Sequence, residues 1–188
     1  MKVKRFECVK PDWIRVVNSA RRTVGKPPIN KEPSDSFKRQ ILLAEHSPIR
    51  LLEYDFTWED IQQWVTAHFV RHHEGCEKFV HSQRTDRNEA LKGLKREDLP
   101  QGLLNDMDMT CNAQAFINIS RKRLCRQASK ETRRAWELVI EYLKEIDPIL
   151  AEKCVPECIY RGFCPEKNCC GYVNTKEYQE QLKIYRKV

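Results

Sequence analysis

The sequence predicts a single mixed domain of the α/β or α+β class, and three observations carry that expectation. Its 188 residues suffice for one core but not for two independent ones. Hydrophobic residues make up 40% and charged residues 32%, a composition that folds in water rather than staying disordered or entering a bilayer. Along the chain, several stretches place apolar residues at helical spacing while one segment alternates with period two.

The first helix is expected over residues 11 to 22, with Pro11 in the first turn, followed by Ile14, Val17 and Ala20 or Arg21. Gly25, Pro27 and Pro28 stop it. A second helix starts at Ser34-Asp35-Ser36, whose short polar side chains can cap free amides. It carries Phe37, Ile41, Leu42 and Ala44 and ends before Pro48. Residues 49 to 56 put Leu52, Tyr54 and Phe56 on one side and read as the one clear strand. Thr57 and Asp60 then have capping-box spacing, which predicts a third helix with the stripe Ile61, Trp64, Val65, His68 and Phe69.

Residues 71 to 87 keep no period and are dense in hydrogen-bond donors, so a ligand loop is expected there rather than a packed element. After a polar stretch ending near Pro100, a helix around 112 to 124 aligns Asn112, Phe116, Ile119 and Arg123 on one face. From Glu131, the residues Ala135, Leu138, Val139, Tyr142, Leu143 and Ile146 trace an amphipathic helix that Asp147-Pro148 kinks or restarts. A tail rich in Cys, Pro and Gly from Cys154 to Tyr172 leads into a short terminal helix from Thr175 to Tyr185, and no internal repeat is visible.

A net charge of +7 attracts anions, but it suits nucleic acid, nucleotide phosphates and folate-type polyanions alike. The apolar stretches are far shorter than the roughly 20 residues a bilayer span requires. The opening Met-Lys-Val-Lys-Arg-Phe-Glu leads into no secretory core, so no membrane partner and a cytoplasmic location are expected. In that compartment the nine cysteines read as reduced thiols or metal ligands rather than disulfides.

Within the donor-rich segment, Arg71, His72, His73, Ser82, Arg84 and Arg87 form a set able to hold phosphate through forked, charge-assisted hydrogen bonds. Taken singly, each is more simply a solvated loop residue, and only the grouping argues for a ligand. No Walker or Rossmann glycine loop is present, so a dinucleotide would be held by side chains and helix ends. Neither Cys76 nor Ser82 sits in a recognised nucleophile turn. In the tail, Cys154, Cys158, Cys164 and Cys169, with Cys170 adjoining, supply enough ligands for zinc or an iron–sulfur cluster. They lack paired Cys-x-x-Cys steps, which leaves small buried thiols as the simpler reading.

The segment Arg71-His72-His73, eight residues, Ser82-Gln83-Arg84 resembles the signature of flavin-dependent thymidylate synthases. Downstream, Arg96 to Pro100, Asn112, Asn118, Arg123 and Glu131 follow in that family's order. Upstream, Ala20-Arg21-Arg22-Thr23 is similar to the family's Ala-Arg-x-Ser, and His46-Ser47-Pro48 to its His-x-Thr-Pro, so the likeness spans residues 15 to 135.

That resemblance implies a central sheet flanked by helices, with active sites between the subunits of a homotetramer. Residues 1 to 153 would form the FAD and nucleotide-binding domain, and residues 154 to 188 a Cys-rich tail packed on the same domain. FAD contacts would come from Thr23, Ser47, Arg71, His72, His73, Asn112 and Asn118. His68, Ser82, Arg84, Arg96 and Arg123 would hold dUMP, with Arg84, Arg123 and Ser82 in catalytic roles. The implied reaction converts dUMP to dTMP with methylene-tetrahydrofolate and NADPH as co-substrates.

The chain departs from the family at His73, at Val80 where a Glu is usual, in one extra residue before Ser82, and in a shortened segment between Arg84 and Arg96. These departures keep a related one-carbon transfer to a pyrimidine nucleotide, such as hydroxymethylation, as the alternative reaction. A basic nucleic-acid-binding module with a zinc tail is the alternative from another class. It leaves the ordered Arg and Asn offsets unexplained, so no stable nucleic-acid partner is expected.

Overall fold

The computed structural model describes residues 1–9 and 12–188. In chain order it contains β1 (Lys2–Cys8), α1 (Trp13–Thr23), α2 (Asp35–Leu43), β2 (Glu53–Gln62), α3 (Gln63–Phe69), β3 (Cys76–Val80) and β4 (Leu104–Asn112). Then follow α4 (Ala113–Arg123), α5 (Lys130–Ile146), α6 (Pro148–Lys153), α7 (Glu157–Arg161) and α8 (Lys176–Arg186). The strands form one antiparallel sheet in the order β1-β2-β4-β3. The architecture is therefore the expected mixed class, with helices packed on a central sheet.

Alternation along the two central strands decides which face is buried. Tyr54, Phe56 and Trp58 of β2 and Met107, Met109 and Cys111 of β4 all point into the core at 0% exposure. On the opposite face, Thr57 donates to Asp108 at 2.6 Å and Thr110 to Asp55 at 2.7 Å, as suits a half-solvated antiparallel sheet. Helices α4 and α5 cover the apolar face: the Phe116 ring lies 5.3 Å from those of Tyr54 and Trp136. Trp136 donates to Ser120 at 2.8 Å and Trp58 to the Ala135 carbonyl at 3.1 Å, so neither large buried ring leaves a donor unmatched.

Helix starts follow short polar side chains. Asp12, Ser34, Asn112, Ser129, Asp147 and Thr175 each accept a backbone N–H at the head of α1, α2, α4, α5, α6 and α8 respectively. Pro11, placed in the first turn by the sequence, lies outside the described residues.

Three expectations are corrected. Residues 47 to 51 form a 3-10 turn, and the strand begins later and runs on through Gln62, so Thr57 and Asp60 do not open a helix. The period-two run continues through Trp58, a bulge at Asp60 (φ 56°) shifts the register, and Ile61 re-enters the core, while α3 is confined to Gln63–Phe69. The segment from 71 to 87 is not loop throughout, because Cys76–Val80 pairs with β4 as an edge strand whose side chains are mostly exposed. Likewise β1 and β4 alternate in the sheet with too few large apolar residues to have announced themselves.

The C-terminal region is partly helical, and α7 and α8 share a second core cluster with Cys158, Ile159, Tyr172, Tyr178 and Tyr185. Lys153, 1% exposed, donates to the carbonyls of Tyr185 at 2.6 Å and Lys187 at 2.9 Å, which fastens α8 against α6. No helix of the described residues is long and apolar enough to cross a membrane.

Candidate functional site

The first turns of α4 and the chain leaving α3 meet at one place. Asn112 caps α4 by accepting from Ala115 N at 3.0 Å, and its own N–H donates to the Gly75 carbonyl at 2.9 Å. That pair of bonds fixes residues 71 to 75 against the helix. A cleft of about 340 Å³ opens between them, lined by Arg71, His72, His73, Glu74, Ala115, Asn118 and Ile119. The Asn118 amide oxygen is held by Gln114 at 3.2 Å and Arg121 at 3.4 Å, so its orientation is set before any ligand arrives.

Arg123, at the far end of α4, ties the cleft to α3. Its Nε donates to His72 Nε2 at 2.9 Å and a terminal nitrogen to the His68 carbonyl at 2.6 Å. Burial, with Arg123, Lys78 and His73 nearby, lowers the His72 pKa from 6.5 to about 4, so the ring is neutral at neutral pH and its Nε2 remains an acceptor. Burial, Arg123 and Arg71 lower the His68 pKa as well. Ser129 donates to Thr132 at 2.7 Å, and the Thr132 hydroxyl lies within hydrogen-bond distance of His68 Nδ1, also at 2.7 Å. Lys78 reaches the His72 carbonyl and, at 3.2 Å, that of Cys76.

The depressed His72 value has a consequence for stability. Below 6.5 the unfolded chain takes up a proton that the folded chain refuses, so stability from this group falls as pH drops from 6.5 to about 4 and rises again with pH. Solvent reaches part of the ring and screens it, so its share is about 1 to 2 kcal/mol. His72→Gln, which keeps an acceptor for Arg123, is expected to flatten that part of the profile. Urea denaturation at a series of pH values checks it, and parallel profiles for the two proteins would refute the assignment.

One chain thus gathers Arg71, His72, His73 and Asn118 at the cleft, with His68, Asn112 and Arg123 bonded around it. Ser82, Arg84 and Arg96 are not among the residues lining it. Arg84 pairs with Asp86 at 2.9 and 2.6 Å and its backbone N–H donates to Ser82 at 3.2 Å, while Arg96 opens an exposed 3-10 turn. Thr23 donates to the Ala20 carbonyl at 2.7 Å at the end of α1, and the exposed Ser47 starts a turn whose Pro48 and Ile49 are buried.

Lys78, Thr132 and Ser129 were not foreseen as part of the site. Only the capping position of Ser129, three residues before Thr132, carried any signal for them. Also unforeseen is a cross-strand pair: Cys111 donates to Cys76 at 3.3 Å, which lowers the Cys76 pKa, while burial and Cys76 push that of Cys111 well up.

Among the described residues no three His, Cys, Asp or Glu side chains are gathered round one point to hold a metal ion. Of the tail cysteines raised as zinc candidates, Cys154 is 3% exposed, and burial pushes its thiol, which lies beside Ser120, up to about 12.

Residues 87–149 match the family model described as thymidylate synthase complementing protein. A flavin-dependent thymidylate synthase of Pyrococcus horikoshii is 34% identical over 100 residues, covering 49% of this chain and 41% of that protein. Its counterpart from Pyrococcus abyssi is 36% identical over 88 residues, covering 42% and 36%. The chain therefore aligns with less than half the length of these relatives. Among solved structures, the ThyX of Helicobacter pylori complexed with FAD and dUMP superposes with a TM-score of 0.65 at 15% identity, covering 82% of this chain and 100% of that one. The UMP/dUMP methylase PolB of Streptomyces cacaoi, bound with 5-Br dUMP, gives 0.61 at 15% identity over 86% and 96%. At that identity these likenesses establish the fold.

Proposed function

We propose, from the premise that the chain belongs to the flavin-dependent thymidylate synthase family, that it binds FAD and a pyrimidine deoxynucleotide and methylates dUMP to dTMP. The observation carrying this reading is that Arg71, His72, His73 and Asn118 line one cleft at the capped start of α4, with Arg123 bonded behind it to His72 and to the His68 carbonyl. Among the described residues Arg123 donates to a ring nitrogen and a carbonyl rather than to a carboxylate, and guanidinium and N–H donors of this kind suit the phosphates and ring carbonyls of such ligands.

The residues fit a flavin by their chemistry. Arg71, His72 and His73 would meet its phosphates and ring, and the fixed amide of Asn118 a further acceptor or donor edge. When bound, reduced FAD supplies hydride equivalents, NADPH being the reductant and methylene-tetrahydrofolate the one-carbon donor. Arg123 would steady negative charge on the pyrimidine, held in place by its bonds to His72 and His68. The task of the protein is orientation and electrostatics, with no thiol attack on uracil.

A cleft of about 340 Å³ lies at the small end for a ligand site and cannot enclose a dinucleotide. Second copies of the chain, assembled as a homotetramer, would complete it and bring Ser82, Arg84 and Arg96 to the nucleotide. Thr23 and Ser47 would then reach flavin from the α1 side.

The exposed Val80, standing where the family carries Glu, favours a second product, a hydroxymethylated pyrimidine nucleotide, from the same site. The test is a flavin absorbance spectrum of purified protein before and after dUMP, then NADPH oxidation with and without dUMP and methylene-tetrahydrofolate, with the product identified by mass. A spectral change and nucleotide-dependent oxidation are expected. A protein that takes up no flavin, or ignores dUMP, would sink the reading.

A further inference from the structure

A cavity of about 560 Å³ lies between the C-terminal end of α4, helix α5 and the C-terminal region, and its wall includes Cys125, Cys154, Cys158, Cys164 and Cys170. More than half of the nine cysteines in the chain thus meet at one hollow, far from even scatter. They form a chain of neighbours: Cys158 faces Cys125 and Cys164, and Cys164 lies beside Cys169 and Cys170.

Packing does not account for this arrangement. Cysteines serving as small apolar fillers are fully buried, as Cys154 is, with its thiol beside Ser120. Cys125 and Cys164 are only half-buried, and Cys169 and Cys170 are exposed. Two left-handed glycines, Gly162 (φ +80°) after α7 and Gly171 (φ +82°), turn the intervening segment back on itself. The Gly171 N–H donates to Cys169 Sγ at 3.4 Å, the kind of backbone bond that settles a thiolate.

We propose that Cys125, Cys158, Cys164 and one of the adjacent pair Cys169 and Cys170 form a thiolate metal centre at this cavity, the spread of the donors favouring an iron–sulfur cluster. A single zinc needs four sulfurs converging at about 2.3 Å. Among the described residues no three donors converge in that way. Thiols spaced round a hollow are instead what a polynuclear cluster requires, each losing its proton on ligation. Cys125 sits just past the end of α4 and Cys158 inside α7, so half of the ligand set is rigid, and the segment from 162 to 171 supplies the rest. The centre does not rest on the flavin reading, since its residues are separate from the cleft.

The test uses the full chain purified without oxygen, as isolated and after incubation with ferrous iron and sulfide. Iron, acid-labile sulfide and zinc are counted per chain, and the reduced protein is examined by electron paramagnetic resonance, which bound flavin does not mimic once fully reduced. Stoichiometric iron and sulfide support the cluster. Zinc alone, in stoichiometric amount, supports the thiolate centre and overturns the cluster. Cys125→Ser and Cys164→Ser should lose most of the metal, whereas Cys154→Ser should keep it. In case a variant fails to fold, iodoacetamide labelling of the unaltered chain gives a second readout. Cys125, Cys158 and Cys164 should be protected until the metal is stripped, while Cys8 labelling is unchanged by stripping. No bound metal, together with labelling indifferent to chelator, overturns the proposal.

Discussion

Arg123→Ala is expected to lower nucleotide-dependent NADPH oxidation by about 10²- to 10³-fold, the loss that follows removal of one preorganised donor to developing charge. Arg123 merits that expectation because its donors are already aimed. Among the described residues it bonds to a ring nitrogen and a backbone carbonyl rather than to a carboxylate. Its guanidinium lies 6.0 Å from the Phe69 ring centre, and burial together with Arg71 lowers its pKa, so two like charges are held near each other in the absence of a ligand. An anion entering the cleft relieves that repulsion, which ties binding to charge rather than to shape alone.

The conservative variant separates charge from geometry. Arg123→Lys keeps the positive charge but has no fork, so it can serve His72 or the His68 carbonyl but not both. Its activity should fall between the two others, with the flavin response to dUMP retained but weakened. Equal turnover by Arg123→Ala and the unaltered protein would place the reacting centre elsewhere. Should Arg123→Ala also shift the pH-dependence of stability, the linkage to His72 is confirmed independently of turnover.

Sequence reasoning reached the helices more readily than the sheet. Helices α4 and α5 carry long, one-sided apolar stripes under a clear polar cap, and their predicted limits lie within a residue or two of the observed ones. Strands β1, β3 and β4 are short on large apolar residues because one face meets water. In β3 only Cys76 is buried, so no alternation was available to read. At Thr57 and Asp60, a capping pattern competed with a strand that continued through a bulge, and cross-strand hydrogen bonding from Thr57 to Asp108 prevailed.

The candidate site was legible where single residues bear charge, at Arg71, His72 and Arg123. The groups that orient them were not, since Lys78 and Thr132 act through a carbonyl and a hydroxyl relay set by tertiary structure. Cys125 illustrates the same limit. It stands far upstream of the other tail cysteines, and only the packing of α4 against α7 brings it to them.

Gly75→Ala should be the most damaging small substitution near the cleft, at about 3 to 5 kcal/mol. Gly75 has φ +69°, and a Cβ there would sit 2.5 Å from Asn112 Nδ2 and 2.7 Å from its Oδ1. Left-handed backbone strain costs an alanine about 1 kcal/mol. The clash adds about 1 to 3 kcal/mol as overpacking, and a displaced Asn112 surrenders the α4 cap for about 1 more. Gly25 isolates the first contribution, because its φ of +68° is nearly the same while nothing lies within 4 Å of the added Cβ. Gly25→Ala should therefore cost only about 1 kcal/mol by urea denaturation. The remaining terms share one partner, so Asn112→Ala combined with Gly75→Ala should cost less than the sum of the single changes. Strict additivity would mean that the two residues do not meet. The coupling matters for function because residues 71 to 74 hang from Gly75, and a helix cap pushed aside there moves the wall of the cleft that His72 and Asn118 form.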